Sequence, residues 1–227
     1  MTDIVVATRN AHKVAEIRGI LAGNIRILSQ QDFPGAPAVA EDAATFAGNA
    51  ARKAEGLFAW LEANPQAPRM GRPYYVLADD SGLEVDVLGG APGVHSARFA
   101  AEEAAGTANA SDAANNAKLL RLLQGVPFER RAARFRCVLA LAARDQATLL
   151  FEGRCEGRIA LAAGGAGGFG YDPLFVPDGC TQSFAELGEE VKNKISHRAR
   201  ALAQLRRFLE GVSPGADAPR FVFGAGL

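Results

Sequence analysis

A short apolar run, residues 74–78, ends in two adjacent carboxylates, Asp79 and Asp80, and this junction constrains the fold more than any other stretch. Residues 83–87 then alternate apolar and acidic side chains, which is the pattern of a half-buried strand. We therefore predict two strands joined by a tight Ser-Gly turn. Acids beside such a turn can hold a hard cation such as Mg²⁺ near a phosphate. The alternative is that they only accept hydrogen bonds from the backbone amides of the turn.

Composition narrows the class of protein. A chain of 227 residues can form one sizeable α/β domain or two small lobes, and 48% hydrophobic with 22% charged residues is typical of a globular protein. Twenty-five basic residues balance 25 acidic ones, which argues against a nucleic-acid partner and against an anionic membrane surface. No apolar run approaches the ~18 residues that a membrane helix needs.

The cysteines and the N-terminus bear on the compartment. Cys137, Cys155 and Cys180 lack the spacing of metal ligands, and an odd thiol would remain if two of them paired. The first residues lack the basic region and long apolar core of a signal peptide. We therefore expect a cytoplasmic protein whose thiols mostly pack in the core.

The first motif follows a short apolar strand, residues 4–7. Residues 8–13 form a polar turn, and a helix with apolar side chains at three- and four-residue spacing comes after it and ends near Gly23. A strand, a polar turn and a helix N-terminus together present free backbone amides and a positive dipole end, which suits an anion. The alternative is a helix that Asn10 caps, with Lys13 in solvent.

Further elements indicate an α/β fold with a mixed sheet. A long helix is predicted from Thr45, and its Asn49 and Lys53 lie one turn apart on one face, which is a ligand-binding face or simply a wet one. Ser111 or Asp112 can cap the next helix. Apolar runs at 135–141 and 148–151 flank a short turn and predict a hairpin, so the sheet is not purely parallel.

Residues 165–170 match the dinucleotide fingerprint G-x-G-x-x-G, but we reject the match. The fingerprint requires a helix to begin immediately after it, whereas Tyr171-Asp172-Pro173 follows here. We predict instead that the glycines lead into a loop that displays Phe169 and Asp172. The alternatives are that Phe169 is an ordinary core aromatic and that Asp172 caps a turn.

A last motif begins at Ser196, a natural N-cap for the helix that follows. It places His197 and Arg198 in the first turn, where cations oppose the helix dipole, and an anionic or carbonyl-bearing ligand would explain them. An ordinary surface turn is the alternative.

Five short segments in a fixed order, 8–13, 45–50, 78–83, 169–173 and 196–198, resemble the inosine/xanthosine triphosphate pyrophosphatase family. The resemblance covers nearly the whole chain. It implies Mg²⁺-dependent hydrolysis of ITP, dITP and XTP to the nucleoside monophosphate and pyrophosphate. It also implies a two-lobed α/β fold, in which a long central mixed sheet is flanked by helices and an active-site cleft lies between the lobes, and it implies a homodimer. Residues 1–210 would form this single two-lobed domain, and 211–227 a C-terminal extension of unknown role.

The resemblance also implies residue roles. Asp80 would be the general base and a metal ligand, with Asp79 as the second carboxylate at the metal. The triphosphate would be bound by Thr8, Arg9, Asn10, Ala11, His12, Lys13 and Lys53, and Asn49 would also bind the substrate. Phe169 would stack on the base, Asp172 would bond to its edge, and the purine 6-oxygen would be surrounded by Lys192, His197 and Arg198. Further substrate contacts would be Ser81, Gly170 and Tyr171.

One position departs from the family pattern. Many members have Glu, serving as a metal ligand, where this chain has Gly48. Mg²⁺ needs only one or two carboxylates, so the departure does not by itself remove activity. Two other functions stay open: a pyrophosphatase for modified pyrimidine or other nucleotides, and a nucleotide-binding protein with weakened catalysis.

Overall fold

The computed structural model describes residues 2–21, 23–64, 74–101, 109–211 and 220–222. Its strands are β1 (Thr2–Val6), β2 (Ile25–Ser29), β3 (Tyr74–Val85), β4 (Ala132–Ala142), β5 (Thr148–Ile159), β6 (Phe175–Pro177) and β7 (Arg220–Val222). Its α-helices are α1 (Ala11–Ile20), α2 (Phe46–Ala63), α3 (Asp112–Leu122), α4 (Phe184–Ile195) and α5 (His197–Leu209). The extension predicted at 211–227 lies mostly outside the described residues.

The strands form one mixed sheet in the order β2-β1-β3-β4-β5-β6, and β7 also pairs with β5. Strand β1 is parallel to both β2 and β3, so α1 and α2 serve as the crossover connections that parallel pairs require. Strand β5 is antiparallel to β6 and to β7. Strands β4 and β5 are sheet neighbours joined by residues 143–147, which confirms the predicted hairpin and the mixed sheet.

The prediction of a Ser-Gly turn after the acid pair is wrong. Strand β3 runs without interruption from Tyr74 to Val85 and carries both aspartates in its interior. Most of its side chains are buried, including Asp79 at 0% and Asp80 at 5% exposure. Strands buried on both faces read as long apolar runs, and here two carboxylates interrupt such a run because lysine partners compensate their charge.

The chain forms two compact units. The first takes its described residues from Met1–Asp80, Cys137–Glu152 and Ala201–Leu227, and the second from Ser81–Arg136 and Gly153–Arg200. The core of the first unit includes Ile4, Ile17, Leu77, Leu139 and Leu202. The core of the second includes Leu83, Leu119, Phe135, Phe175 and Phe184.

Side-chain caps fix where three helices begin. The Asn10 side chain accepts the backbone N–H of Lys13 at α1, and Thr45 accepts that of Gly48 at α2. At α3 the cap is Ser111 rather than Asp112. Each cap satisfies an amide that the first helical turn leaves without a partner, so these starts were readable from sequence. Among the described residues, no helix is long and apolar enough to cross a membrane.

The glycine segment behaves as predicted. No helix begins immediately after residue 170; the chain continues through turns into β6, so the fingerprint match was rightly rejected. Cys137 and Cys155 are buried and Cys180 is half-buried, as expected for thiols that pack. Burial raises the pKa of the Cys155 thiol to about 11, which keeps it protonated at neutral pH.

Candidate active site

Asp79, inside β3 in the first unit, holds two lysines. Its Oδ1 accepts a hydrogen bond from Lys13 Nζ at 2.5 Å, and its backbone carbonyl accepts one from Lys53 Nζ at 2.9 Å. The Cys137 thiol on β4 donates to Asp79 Oδ2 at 3.3 Å. Asp79 is therefore a buried anchor that positions cationic groups from α1 and α2.

Asp80 lies beside it in the same unit and faces α2. Its Oδ1 accepts from Lys53 Nζ at 2.8 Å, and its Oδ2 accepts from Asn49 Nδ2 at 3.2 Å. The Asn49 side-chain oxygen in turn accepts the backbone N–H of Ala43 at 2.9 Å, which fixes the orientation of its amide. Asn49 and Lys53 are both buried, so their shared helix face is not a wet one.

Burial and neighbouring charges shift the pKa values of Asp80 and Lys53 in opposite directions. Burial raises the pKa of Asp80, while the positive charges of Lys53 and Lys13 work against that rise. For Lys53, burial favours the neutral amine, but the carboxylates of Asp80, Glu41 and Asp79 outweigh it and raise the pKa above its usual value. The Lys53 ammonium therefore stays protonated well above neutral pH.

Glu41 is an acid that the sequence reasoning missed. Its Oε2 lies 3.5 Å from Lys53 Nζ, the same ammonium that Asp80 contacts. No motif marks it, because it stands in an irregular connector before α2; only its position in space relates it to Asp80. It supplies a third carboxylate beside Lys53, in addition to Asp79 and Asp80.

The two basic side chains of the segment after β1, Arg9 and Lys13, have different partners. Lys13 points to the acid pair, whereas Arg9 donates through Nη2 to the carbonyl of Ala36 at 2.9 Å. Thr8 is half-buried and its Oγ1 accepts the backbone N–H of Asn10 at 3.1 Å. Ala11 and His12 begin α1 and are exposed. The segment thus leads into the N-terminus of α1, the end of a helix that suits phosphate.

A second group of side chains lies wholly in the second unit. Lys192 Nζ donates to Asp172 Oδ2 at 2.5 Å, and the same oxygen accepts the backbone N–H of Phe169 at 2.9 Å. The Lys192 ammonium also lies 4.4 Å from the centre of the Phe169 ring. The ring is half-buried, so a flat apolar face stands beside a buried ion pair.

The first turn of α5 joins this group. Arg198 Nη2 donates to Ser81 Oγ at 2.9 Å, and its guanidinium lies 5.8 Å from the Phe169 ring centre. The His197 ring stacks on Phe135 with centroids 4.7 Å apart. Both α5 side chains are buried, which excludes the ordinary surface turn. The structure thus brings five of the sequence-predicted nucleoside contacts together, whereas His197 packs on a core ring: Ser81, Phe169, Asp172, Lys192 and Arg198.

Two of the predicted contacts have other partners. The Tyr171 hydroxyl donates to the carbonyl of Ser96 at 2.9 Å, so this ring is part of the packing of the second unit. Gly170 has its backbone held by Asp112 and Asn116 of α3, two residues for which sequence reasoning predicted no role at this loop.

The acids of the first unit fit a hard cation with few protein ligands. No group of three or more His, Cys, Asp or Glu side chains in the described ranges forms a ready-made metal cage. Asp80 and Glu41 face one ammonium, whereas Asp79 directs its oxygens at Lys13 and Cys137. Mg²⁺ is commonly held by one or two carboxylates together with substrate phosphates and water, and this donor set matches that pattern.

Comparisons with known proteins show what this chain resembles over most of its length. The sequence model of the Ham1 family matches residues 4–208. A Geobacillus kaustophilus protein named dITP/XTP pyrophosphatase is 49% identical over 216 residues, covering 95% of this chain and 98% of the relative. A Shouchella clausii protein of the same name is 45% identical, covering 94% and 100%.

Solved structures are similar over the same extent. The Staphylococcus aureus Ham1 protein matches with a TM-score of 0.76 and 35% identity, covering 93% of this chain and all of its own, 100%. A nucleoside-triphosphatase named dITP/XTP pyrophosphatase from Mycobacterium abscessus matches with a TM-score of 0.66 and 40% identity, covering 89% and 98%. The α/β fold with its mixed sheet is thereby confirmed.

Proposed function

Because this chain belongs to the Ham1 family, we propose that it hydrolyses non-standard purine nucleoside triphosphates to the monophosphate and pyrophosphate, with ITP, dITP and XTP as its substrates. The two relatives named above as dITP/XTP pyrophosphatases are matched over at least 94% of this chain. These relatives do not favour the two alternatives, a pyrimidine-directed pyrophosphatase and a protein with weakened catalysis.

One observation carries the proposal: two ammonium groups from different helices converge on adjacent aspartates of one strand. Lys13 and Lys53 both contact Asp79, and Lys53 also contacts Asp80. Lysine is a point charge suited to phosphate oxygens, and α1 adds its N-terminal amides. Fixed positive groups beside a buried carboxylate are what hydrolysis of a triphosphate requires.

We place the metal on Asp80 and Glu41 and expect Mg²⁺. When bound, the metal neutralises charge on the triphosphate oxygens and on the departing pyrophosphate. Asp79, which sequence reasoning assigned to the metal, instead positions the two lysines in this proposal. Its contacts with Lys13 and Cys137 support that role.

Asp80 is the catalytic carboxylate. It orients or deprotonates the water that attacks the α-phosphorus, while Lys13 and Lys53 stabilise the charge that moves onto pyrophosphate. Asn49 holds one Asp80 oxygen and so fixes the direction of the carboxylate. Positioning and electrostatics supply most of the acceleration, as in other phosphoryl-group reactions.

Base selection is assigned to the second group of side chains. Phe169 offers a stacking face, Asp172 an acceptor, and Lys192, His197 and Arg198 donors for the 6-oxygen of hypoxanthine or xanthine. Adenine presents an amino group there and would leave buried donors without acceptors, a mismatch that discriminates by about 10⁴.

A substrate panel tests the proposal. ITP, dITP, XTP, ATP, GTP and modified pyrimidine triphosphates are incubated with Mg²⁺ or with EDTA, and pyrophosphate release is followed. We expect Mg²⁺-dependent release from ITP, dITP and XTP and little from ATP. Release chiefly from pyrimidine nucleotides would favour the first alternative, and ITP binding without turnover would favour the second. We also propose a homodimer, which light scattering of the purified chain tests.

A further inference from the structure

Helix α3 holds both backbone polar groups of one glycine in the base-binding loop. Asp112 Oδ2 accepts the N–H of Gly170 at 2.6 Å, and Asn116 Nδ2 donates to the carbonyl of Gly170 at 3.0 Å. The two side chains lie four residues apart and therefore on one face of the helix. Gly170 has a φ of +63°, and a Cβ there would meet nothing within 4 Å. The left-handed backbone conformation, and not a lack of space, therefore favours glycine at this position.

These two hydrogen bonds fix the peptide groups on either side of Gly170. The first of these groups links it to Phe169, and the second links it to Tyr171. Fixing both limits the rotation of the chain that carries the Phe169 ring and the Asp172 carboxylate. The short Asp112 contact is a charge-assisted hydrogen bond, the stronger class.

The Asn116 amide points to a functional reason for this contact. Its Oδ1 is buried and has no hydrogen-bond partner among the described residues, while its Nδ2 bonds to Gly170. A buried acceptor without a partner costs stability, and an apolar side chain of similar size would avoid that cost. An asparagine at this place therefore gains its value from the Gly170 carbonyl.

We infer that Asp112 and Asn116 are positioning residues for base recognition: together they set the orientation of Phe169 and Asp172 and thereby the preference for a purine with a 6-oxygen. This inference rests on the proposed function and deepens it. Neither residue touches the substrate; both act through the backbone of Gly170. Only selection of the base depends on them, because the phosphate-binding lysines belong to the first unit.

Steady-state kinetics on Asp112→Ala, Asn116→Ala and the double variant test the inference. Loss of one such hydrogen bond is worth about a fivefold change. We expect KM for ITP to rise by about that factor in each single variant, kcat to change less, and the ITP-to-ATP ratio of kcat/KM to fall. Inhibition by inorganic pyrophosphate, which reports on the phosphate contacts alone, stays unchanged.

Three further variants serve as controls. Ala113→Ser changes an exposed residue in the same helical turn and leaves all parameters at wild-type values. Asp112→Asn keeps an acceptor for the Gly170 N–H and restores most of the affinity for ITP. Asn116→Leu removes the donor and the buried acceptor together, so it loses the ITP preference without losing thermal stability, and it replaces Asn116→Ala should that variant fail to fold.

The outcomes separate the two claims. A wild-type chain without ITP turnover contradicts the proposed function and this inference with it. An active wild type whose double variant keeps its KM contradicts the inference alone. An equal fall of kcat/KM for ITP and ATP, or weaker pyrophosphate inhibition in step with the KM change, also contradicts it, because a general loss of structure acts on both ends of the nucleotide.

Discussion

Asp80 is a carboxylate whose surroundings pull in two directions. Burial favours its protonated form, whereas Lys53 and Lys13 favour the ionised form, and Asn49 donates to it in either case. A carboxylate held in this balance is suited to orient water at neutral pH. Because both lysines also hold Asp79, their positions do not depend on Asp80 alone.

The variant Asp80→Asn tests this role. The amide keeps the size of the side chain but cannot act as a base, so we expect kcat for ITP to fall by about 10²–10⁴-fold. Removing a negative charge beside the triphosphate leaves binding of metal-free ITP intact or tightens it. Isothermal titration with ITP in the absence of Mg²⁺ measures this, because Asp80 is also a proposed metal ligand. Asp145→Asn is the matched control, because Asp145 is exposed in the β4–β5 turn. Near-normal pyrophosphate release by Asp80→Asn would remove Asp80 from the mechanism.

Gly168 is a second residue whose identity is tied to the site. Its φ is +73°, and a Cβ would lie 2.3 Å from Asp172 Oδ2. Gly179 has a similar φ of +83°, but a Cβ there meets nothing within 4 Å. Alanine at either position would be strained by the left-handed backbone, but only at Gly168 would it also collide with a neighbouring side chain.

This pair gives a controlled prediction. Both Gly168→Ala and Gly179→Ala lose about 1–2 kcal/mol of stability from the left-handed backbone. Only Gly168→Ala also displaces Asp172 from the Phe169 N–H, so only it raises KM for ITP. Thermal unfolding and initial rates measure the two effects. Equal KM values for the two variants would show that Asp172 does not contribute to base binding.

At the scale of elements, the start of α2 explains the departure at Gly48. A Cβ at this position would lie 2.8 Å from the Cβ of Ala43, whose backbone N–H is itself bonded to Asn49. The connector before α2 therefore occupies the space that a side chain at 48 would need. The absence of an acid here is coupled to the residue at 43.

A double-mutant cycle checks this coupling. Alanine is ordinarily better than glycine in a helix by up to about 1 kcal/mol, yet we expect Gly48→Ala to destabilise the chain because of overpacking. Ala43→Gly removes the obstructing methyl group, so the double variant recovers the stability. Urea denaturation gives the coupling energy, expected at about 1 kcal/mol or more. Additive effects would contradict the account.

The elements that local chemistry determines were predictable. Asn10, Thr45 and Ser111 mark the starts of α1, α2 and α3 because a cap is a contact between near neighbours in sequence. The Ser-Gly turn failed for the opposite reason: charged residues in a strand interior look like turn residues until their lysine partners are known. Those partners come from other elements, and the sequence does not place them.

The site was predictable only in part for the same reason. Motif resemblance located Lys13, Lys53, Phe169 and Asp172, all of which the structure places in one or other of the two groups. It did not find Glu41, Asp112 or Asn116. Glu41 lies in an irregular connector, and the other two act on a backbone more than 50 residues away in the chain, at separations of 58 and 54. Contacts of that range depend on tertiary structure.

For the whole molecule, each compact unit contributes one kind of chemistry. The first carries the lysines and acids that suit a triphosphate, and the second carries the aromatic ring, the ion pair and the arginine that suit a purine. Strand β3 belongs to both units, because Asp80 of the first unit and Ser81 of the second are neighbours in it. In our account, base selection and hydrolysis are therefore separable by mutation although one substrate uses both.

The most direct test of the proposed hydrolysis is the fate of the water oxygen. ITP is hydrolysed in ¹⁸O-labelled water with Mg²⁺, and the masses of the separated products are measured by mass spectrometry. We predict inosine monophosphate that carries one labelled oxygen and pyrophosphate that carries none, because water attacks the α-phosphorus, with ATP left largely intact under the same conditions. Label in the pyrophosphate, a diphosphate product, or equal turnover of ATP would contradict it.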